Sequence, residues 1–110
     1  MKIDLKLTPE NALIIAATIE AVYNTKAHTR RNKATLSIAI DVASKLDGKA
    51  VHIKAKRNLF DAKKKIKVTL KYHEADMLEL LLIQQLEGVQ DPYIRLEIQK
   101  TINDLNQKLA

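Results

Sequence analysis

The sequence predicts a mostly helical α+β chain, in which a two-stranded antiparallel sheet is covered by four helices in the order β-α-α-β-α-α. Three observations carry that expectation. The run Lys2, Ile3, Asp4, Leu5, Lys6, Leu7 returns without a gap as Lys65, Ile66, Lys67, Val68, Thr69, Leu70. Behind each copy lies a helix-like apolar stretch, with Ala12 aligned to Ala75 and the pairs Ile14/Met77, Ile15/Leu78 and Ile19/Leu82 staying apolar. Hydrophobic residues make up 46% of the 110, and Gly and Pro contribute two each, so a folded globular chain is expected rather than a disordered one. The length suits one domain, residues 1–110, containing an internal pseudo-repeat of residues 2–23 and 65–86.

Ile3, Leu5 and Leu7 alternate with Lys2, Asp4 and Lys6, the period of a strand with one buried face. Thr8 then caps a helix over residues 9–23, with Pro9 at the first position, where a missing N–H costs nothing. That helix is apolar nearly all round and therefore needs cover on more than one side. Residues 24–29 read as a connection.

Residues 34–56 fit two descriptions. Leu36, Ile38, Ile40 and Val42 alternate as a strand would, and Asp47-Gly48 is a turn pair that would make the segment an additional β-hairpin. Over a longer window Lys33, Ser37, Asp41, Lys45, Lys49, His52 and Lys56 recur every three or four residues. Leu36, Ile40, Ala43, Leu46, Ala50 and Ile53 do the same on the other side. Both stripes hold phase through Gly48, which a hairpin has no reason to preserve, so one helix over about 31–57 is preferred, weakened at Gly48 by roughly 1 kcal/mol relative to Ala.

A second alternating strand follows at residues 64–72, with Ile66, Val68, Leu70 and Tyr72 on one face. Glu74 and Asp76 open the next helix, where negative charge meets the positive end of the dipole. Gly88 ends that helix, and Asp91-Pro92 starts a final amphipathic one with Ile94, Ile98, Ile102, Leu105 and Leu109 on its apolar side. Two such strands pair naturally about a pseudo-twofold axis, with the apolar helices central. Surplus apolar helix surface also predicts a homo-oligomer.

Composition excludes several functions. The chain has no Cys, so disulfides, thiolate nucleophiles and cysteine-based zinc sites are absent. No apolar run approaches the ~20 residues that cross a bilayer, and the first ten residues alternate where a secretion signal has a continuous apolar core, so no membrane association and a cytoplasmic location are expected. His73 beside Glu74 and Asp76 resembles a small ligand cluster, but a helix start explains those acids. His28 falls in a polar connector and His52 in a lysine stripe. Glycine-rich phosphate loops, metal-binding helix motifs and nucleophile elbows are missing from the sequence. The expectation is a protein that is not an enzyme, with no catalytic residue, no cofactor and no metal.

Charge distribution says more than the net +6. Residues 1–25 carry −1, residues 26–71 carry +11 from fourteen Lys or Arg against three acids, and residues 72–110 carry −4. Such a block faces either a polyanion or the protein's own acidic end. The predicted function is therefore that of a small basic protein, nucleic-acid-associated or regulatory, binding DNA or RNA by its backbone phosphates through Arg30, Arg31, Lys33, Lys45, Lys49, His52, Lys56, Lys67 and Lys71. Aromatic residues are not interleaved with these cations, which argues against base stacking as the source of affinity. The alternative is a structural or assembly protein, a phage-type accessory subunit, acting through protein contacts.

The unit Lys2 to Thr8 followed by two helices resembles, in its order of elements, the ribbon-helix-helix family of repressors, whose paired strands insert polar side chains into the major groove. The resemblance implies that Lys2, Asp4 and Lys6 pair with Lys67, Thr69 and Lys71 as a reading surface. In that family the unit is about half this length and dimerises, and a compact turn replaces residues 24–29.

Overall fold

A computed structural model of the chain describes residues 1–55 and 65–110. Its elements run β1 (Lys2–Leu7), α1 (Pro9–Thr18), a 3₁₀ turn (Glu20–Asn24), α2 (Arg30–Ala55), β2 (Ile66–Lys71), α3 (Tyr72–Leu86) and α4 (Pro92–Leu109). The fold is mostly helical α+β, four α-helices on a two-stranded antiparallel sheet.

The sheet forms as its alternation dictates. Ile3, Leu5 and Leu7 point into the core with Val68 and Leu70, while the intervening side chains stay exposed. Partners run from Lys2↔Lys71 through Asp4↔Thr69 and Lys6↔Lys67 to Leu7↔Ile66. Two strands alone are marginal in water, and helix cover completes the layer. α2 packs across α1, the 3₁₀ turn and α3, whereas α4 packs on α3, α1 and β1. Ala12 and Ile15 of α1, Leu78 and Leu82 of α3, and Ile98 and Leu105 of α4 are fully buried.

Three sequence expectations change in detail. The helix expected over residues 9–23 ends at Thr18, where the Thr18 hydroxyl bonds back to the Ile14 carbonyl at 2.7 Å and Ile19 leaves helical geometry; the remainder tightens into the 3₁₀ turn. The hairpin alternative for residues 34–56 is overturned as far as Ala55, because α2 runs unbroken through Gly48. What decides it is the burial of Ala39 and Ala43, which strand alternation turns outward and helical spacing turns inward. The last two residues of the expected helix, including Lys56, lie outside the described residues. Tyr72 belongs to α3, not to the strand: Glu74 accepts the Lys71 N–H at 2.8 Å and so starts the helix one residue earlier.

The repeat extends further than the sequence echo. Thr8 and Lys71 occupy the N-cap positions of α1 and α3. Three residues on, Asn11 and Glu74 are both buried polar groups, each tying its helix to a different outer helix. With one residue fewer between the helices of the second unit, Leu36, Ala39, Ile40 and Ala43 of α2 align with Ile98, Thr101, Ile102 and Leu105 of α4. The second unit's helix finishes at Leu109, the counterpart of Asp47, and α2 then runs on from Gly48 to Ala55, about 12 Å further. The chain is thus two β-α-α units, residues 2–47 and 65–109. Exchanging them leaves the strand register unchanged, since Ile3↔Leu70 becomes Ile66↔Leu7 and Leu5↔Val68 maps onto itself.

Candidate nucleic-acid interface

The outer face of the ribbon gathers charge mostly of one sign. Lys2, Lys6, Lys65, Lys67 and Lys71 are all exposed there, with Asp4 the one acid among them. Strand alternation forces this arrangement: with Ile3, Leu5, Leu7, Val68 and Leu70 committed to the core, the intervening residues project from the opposite face, and Lys6 and Lys65 at its margin also line a groove shared with α1 and α4. Across the strands, Lys2 lies opposite Lys71 and Lys6 opposite Lys67, so like charges are held together. Such pairs cost sheet stability. Near the centre the Thr69 hydroxyl donates to Asp4 Oδ1 at 2.8 Å. At the edge of β1, Lys108 of α4 donates to the Asp4 carbonyl at 2.6 Å and lies 3.3 Å from Asp104, which blunts one free edge of the sheet.

The sequence-predicted cations fall into separate groups. Lys67 and Lys71 stand on the ribbon. Arg30, Arg31 and Lys33 are exposed in the first turn of α2, and Lys49 and His52 are exposed beyond Lys45 on its outer stripe. Arg30 is fifteen residues from Lys45, about 22 Å along the helix. Lys45 marks the end nearer the ribbon, because its ammonium reaches Glu74 at 2.7 Å and Glu74 also accepts the amide of Lys71. Arg30 and Arg31 therefore stand about 22 Å along α2 from the point where that helix meets the Lys71 end of the ribbon, a group apart from the strand lysines.

Glu74 shows part of the basic block turned toward the protein's own acids. Its side chain is 7% exposed against 43% for Lys45. Burial alone pushes the Glu74 carboxyl up, but the hydrogen bonds from Lys45 and the Lys71 amide, with the ammonium charge, outweigh it and hold the group below the ordinary glutamate range. Composition hid this role because an acid in the first helical turn is already accounted for by the dipole. The further signal was its register, three residues after the strand's last residue.

No family model matches the chain, and comparison with curated proteins and with solved structures returns no match.

Two grooves flank the helices. One, of about 620 Å³, runs between β1, the start of α1 and α4, and its rim mixes Lys6, Lys65, Lys100 and Lys108 with Glu10, Glu97 and Asp104. Four cations against three acids leave it nearly neutral, unlike the ribbon beside it. Beneath its floor the Asn11 amide donates to Glu97 Oε2 at 3.0 Å and accepts from the Thr101 hydroxyl at 3.0 Å, locking α1 to α4. The other, of about 280 Å³, lies between the 3₁₀ turn, the first half of α2 and α3, with the exposed Leu80 on its wall. Tyr23, Tyr72 and Tyr93 are each two-fifths to one-half exposed, and none lies within the strands. Among the described residues no group of three or more His, Cys, Asp or Glu is placed to hold a metal ion, and no helix is long and apolar enough to cross a membrane.

Proposed function

We propose that this protein binds duplex DNA by laying the outer face of the β1–β2 ribbon into the major groove. The observation that carries the proposal is the seven-residue outer face, Lys2, Asp4, Lys6, Lys65, Lys67, Thr69 and Lys71, exposed on a two-stranded antiparallel ribbon whose other face is core. The major groove of B-DNA is about 12 Å wide and accepts a two-stranded ribbon, whereas the deep, narrow major groove of A-form RNA does not. Five lysines around a single acid supply phosphate attraction, and the polar tips between them meet base edges. This reading narrows the basic segment of residues 26–71 to its strand portion and adds Lys2, Lys6 and Lys65 from outside the residues first assigned.

Fluorescence anisotropy on a labelled duplex tests it. Replacing Lys6 and Lys67 together by Glu weakens binding about a hundredfold and flattens the slope of log K against log salt, because two cations facing the groove become anions that repel the phosphates. Both side chains are exposed, so the fold is retained, which circular dichroism checks. The same charge reversal at Arg30 and Arg31 leaves the slope nearly unchanged. The opposite result, loss at Arg30 and Arg31 with the ribbon variant unaffected, refutes the proposal.

A further inference from the structure

We infer that a single copy of this chain reads a non-palindromic duplex site, because the scaffold is two-fold while its reading face is not. The inference rests on the ribbon as the DNA-binding surface. The pseudo-axis passes through the Leu5↔Val68 pair, which exchanging the two units maps onto itself. Those side chains point into the core, so the outward pairs flanking the axis are Asp4/Thr69 on one side and Lys6/Lys67 on the other. A face as symmetric as the backbone would carry the same pair on both sides. Instead the repeat sets Asp4 against Lys67 and Lys6 against Thr69, so one flank has a formal charge of −1 and the other +2.

The chemistry of the two flanks differs in kind. Lys6 and Lys67 are donors only, matched to the O6 and N7 acceptors of guanine. At the other flank Asp4 Oδ1 is occupied by the Thr69 hydroxyl at 2.8 Å, which fixes the carboxylate and leaves Oδ2 and the Thr69 oxygen as acceptors. That pair suits an exocyclic amine, cytosine N4 or adenine N6, and repels a base edge presenting two acceptors. Successive outward residues are separated by about 7 Å along a strand, roughly two base steps, so the two flanks address different base pairs of one site. Both strands of the ribbon come from one chain, so no second copy is required to complete the surface.

Selection of bound duplexes from a random-sequence pool, followed by native mass spectrometry of the complex, tests this. The expected motif is asymmetric, with guanine under one half and an amine-bearing base under the other, and the complex contains one chain per duplex. Replacing the Asp4/Thr69 half-site by an inverted copy of the other half weakens wild-type binding about tenfold or more. The double variant Asp4→Lys, Thr69→Lys, which gives both units the same outward residues at these positions, abolishes that discrimination while still binding duplex. A palindromic motif, two chains per site, or ribbon-dependent binding without base preference overturns the inference and leaves ribbon binding standing. Duplex binding insensitive to Lys6 and Lys67 overturns the underlying reading as well.

Discussion

Gly48→Ala separates the two descriptions that the sequence permits for the centre of the chain, and its effect follows from the structure. Gly48 sits inside α2, exposed, with a backbone φ that is not positive, and a Cβ built on it meets nothing within 4 Å. The substitution therefore adds no clash and removes only the entropic penalty of glycine in a helix, about 0.8–1.0 kcal/mol. At about 2.1 cal/mol/K of unfolding entropy per residue, 110 residues give about 230 cal/mol/K, so 1 kcal/mol raises Tm by about 4 °C. A thermal melt followed by circular dichroism at 222 nm measures this directly. In an Asp-Gly hairpin turn the same glycine needs positive φ and the alanine destabilises the protein. A fall in Tm on making Gly48→Ala would falsify the continuous helix.

The Lys45–Glu74 pair and the Asn11 network give two further expectations. Lys45→Met leaves the buried Glu74 carboxylate with the Lys71 amide and costs about 2 kcal/mol in urea unfolding at pH 7, between the values typical of exposed and of buried pairs. Because the folded-state pKa of Glu74 is depressed, its contribution is fully present above the unfolded carboxyl value and is lost as pH falls through the folded one. The stability gap between wild type and Glu74→Gln therefore closes in acid, and a gap that widens there contradicts the ion pair. Asn11→Ala removes the side-chain bonds that tie α1 to Glu97 and Thr101 of α4 and costs about 2 kcal/mol by the same assay, whereas an effect within 0.5 kcal/mol, about that of a surface change, excludes a structural role for the network.

Alternation and helical spacing made the order of elements, the inner strand faces and the long second helix legible in the sequence. Each is a short-range pattern repeated several times. Ile19 was not legible as a helix end, because apolar residues continue past it to Val22 and the bond from the Thr18 hydroxyl to the Ile14 carbonyl leaves no mark in that pattern. Tyr72 was misassigned because it keeps the strand's phase. Only the hydrogen bond between Glu74 and the Lys71 amide shows that the chain has already turned into the helix. The cations were visible as a block, but their partition was not, since Arg30 opens α2 about 22 Å along the helix from Lys45, while Lys67 stands on β2. Apolar surface that suggested a homo-oligomer is partly met within the chain at Ile15, Leu78 and Leu82, and Leu80 and Ile83 remain exposed on α3.

The register of the ribbon also sets a timetable for synthesis. Leu7 finds Ile66 and Lys2 finds Lys71, so every rung of the sheet joins residues 59 to 69 positions apart. At about 5–20 residues per second, β1 leaves the ribosome roughly 3 to 14 seconds before its partner strand exists. During that interval α2 can cover α1, but β1 lacks β2, α3 and α4, which pack on it in the finished fold, and the edge that Lys108 later seals is open. Joining both units in one chain removes the need for two separate molecules to meet, and the wait for the second strand becomes a fixed delay set by translation.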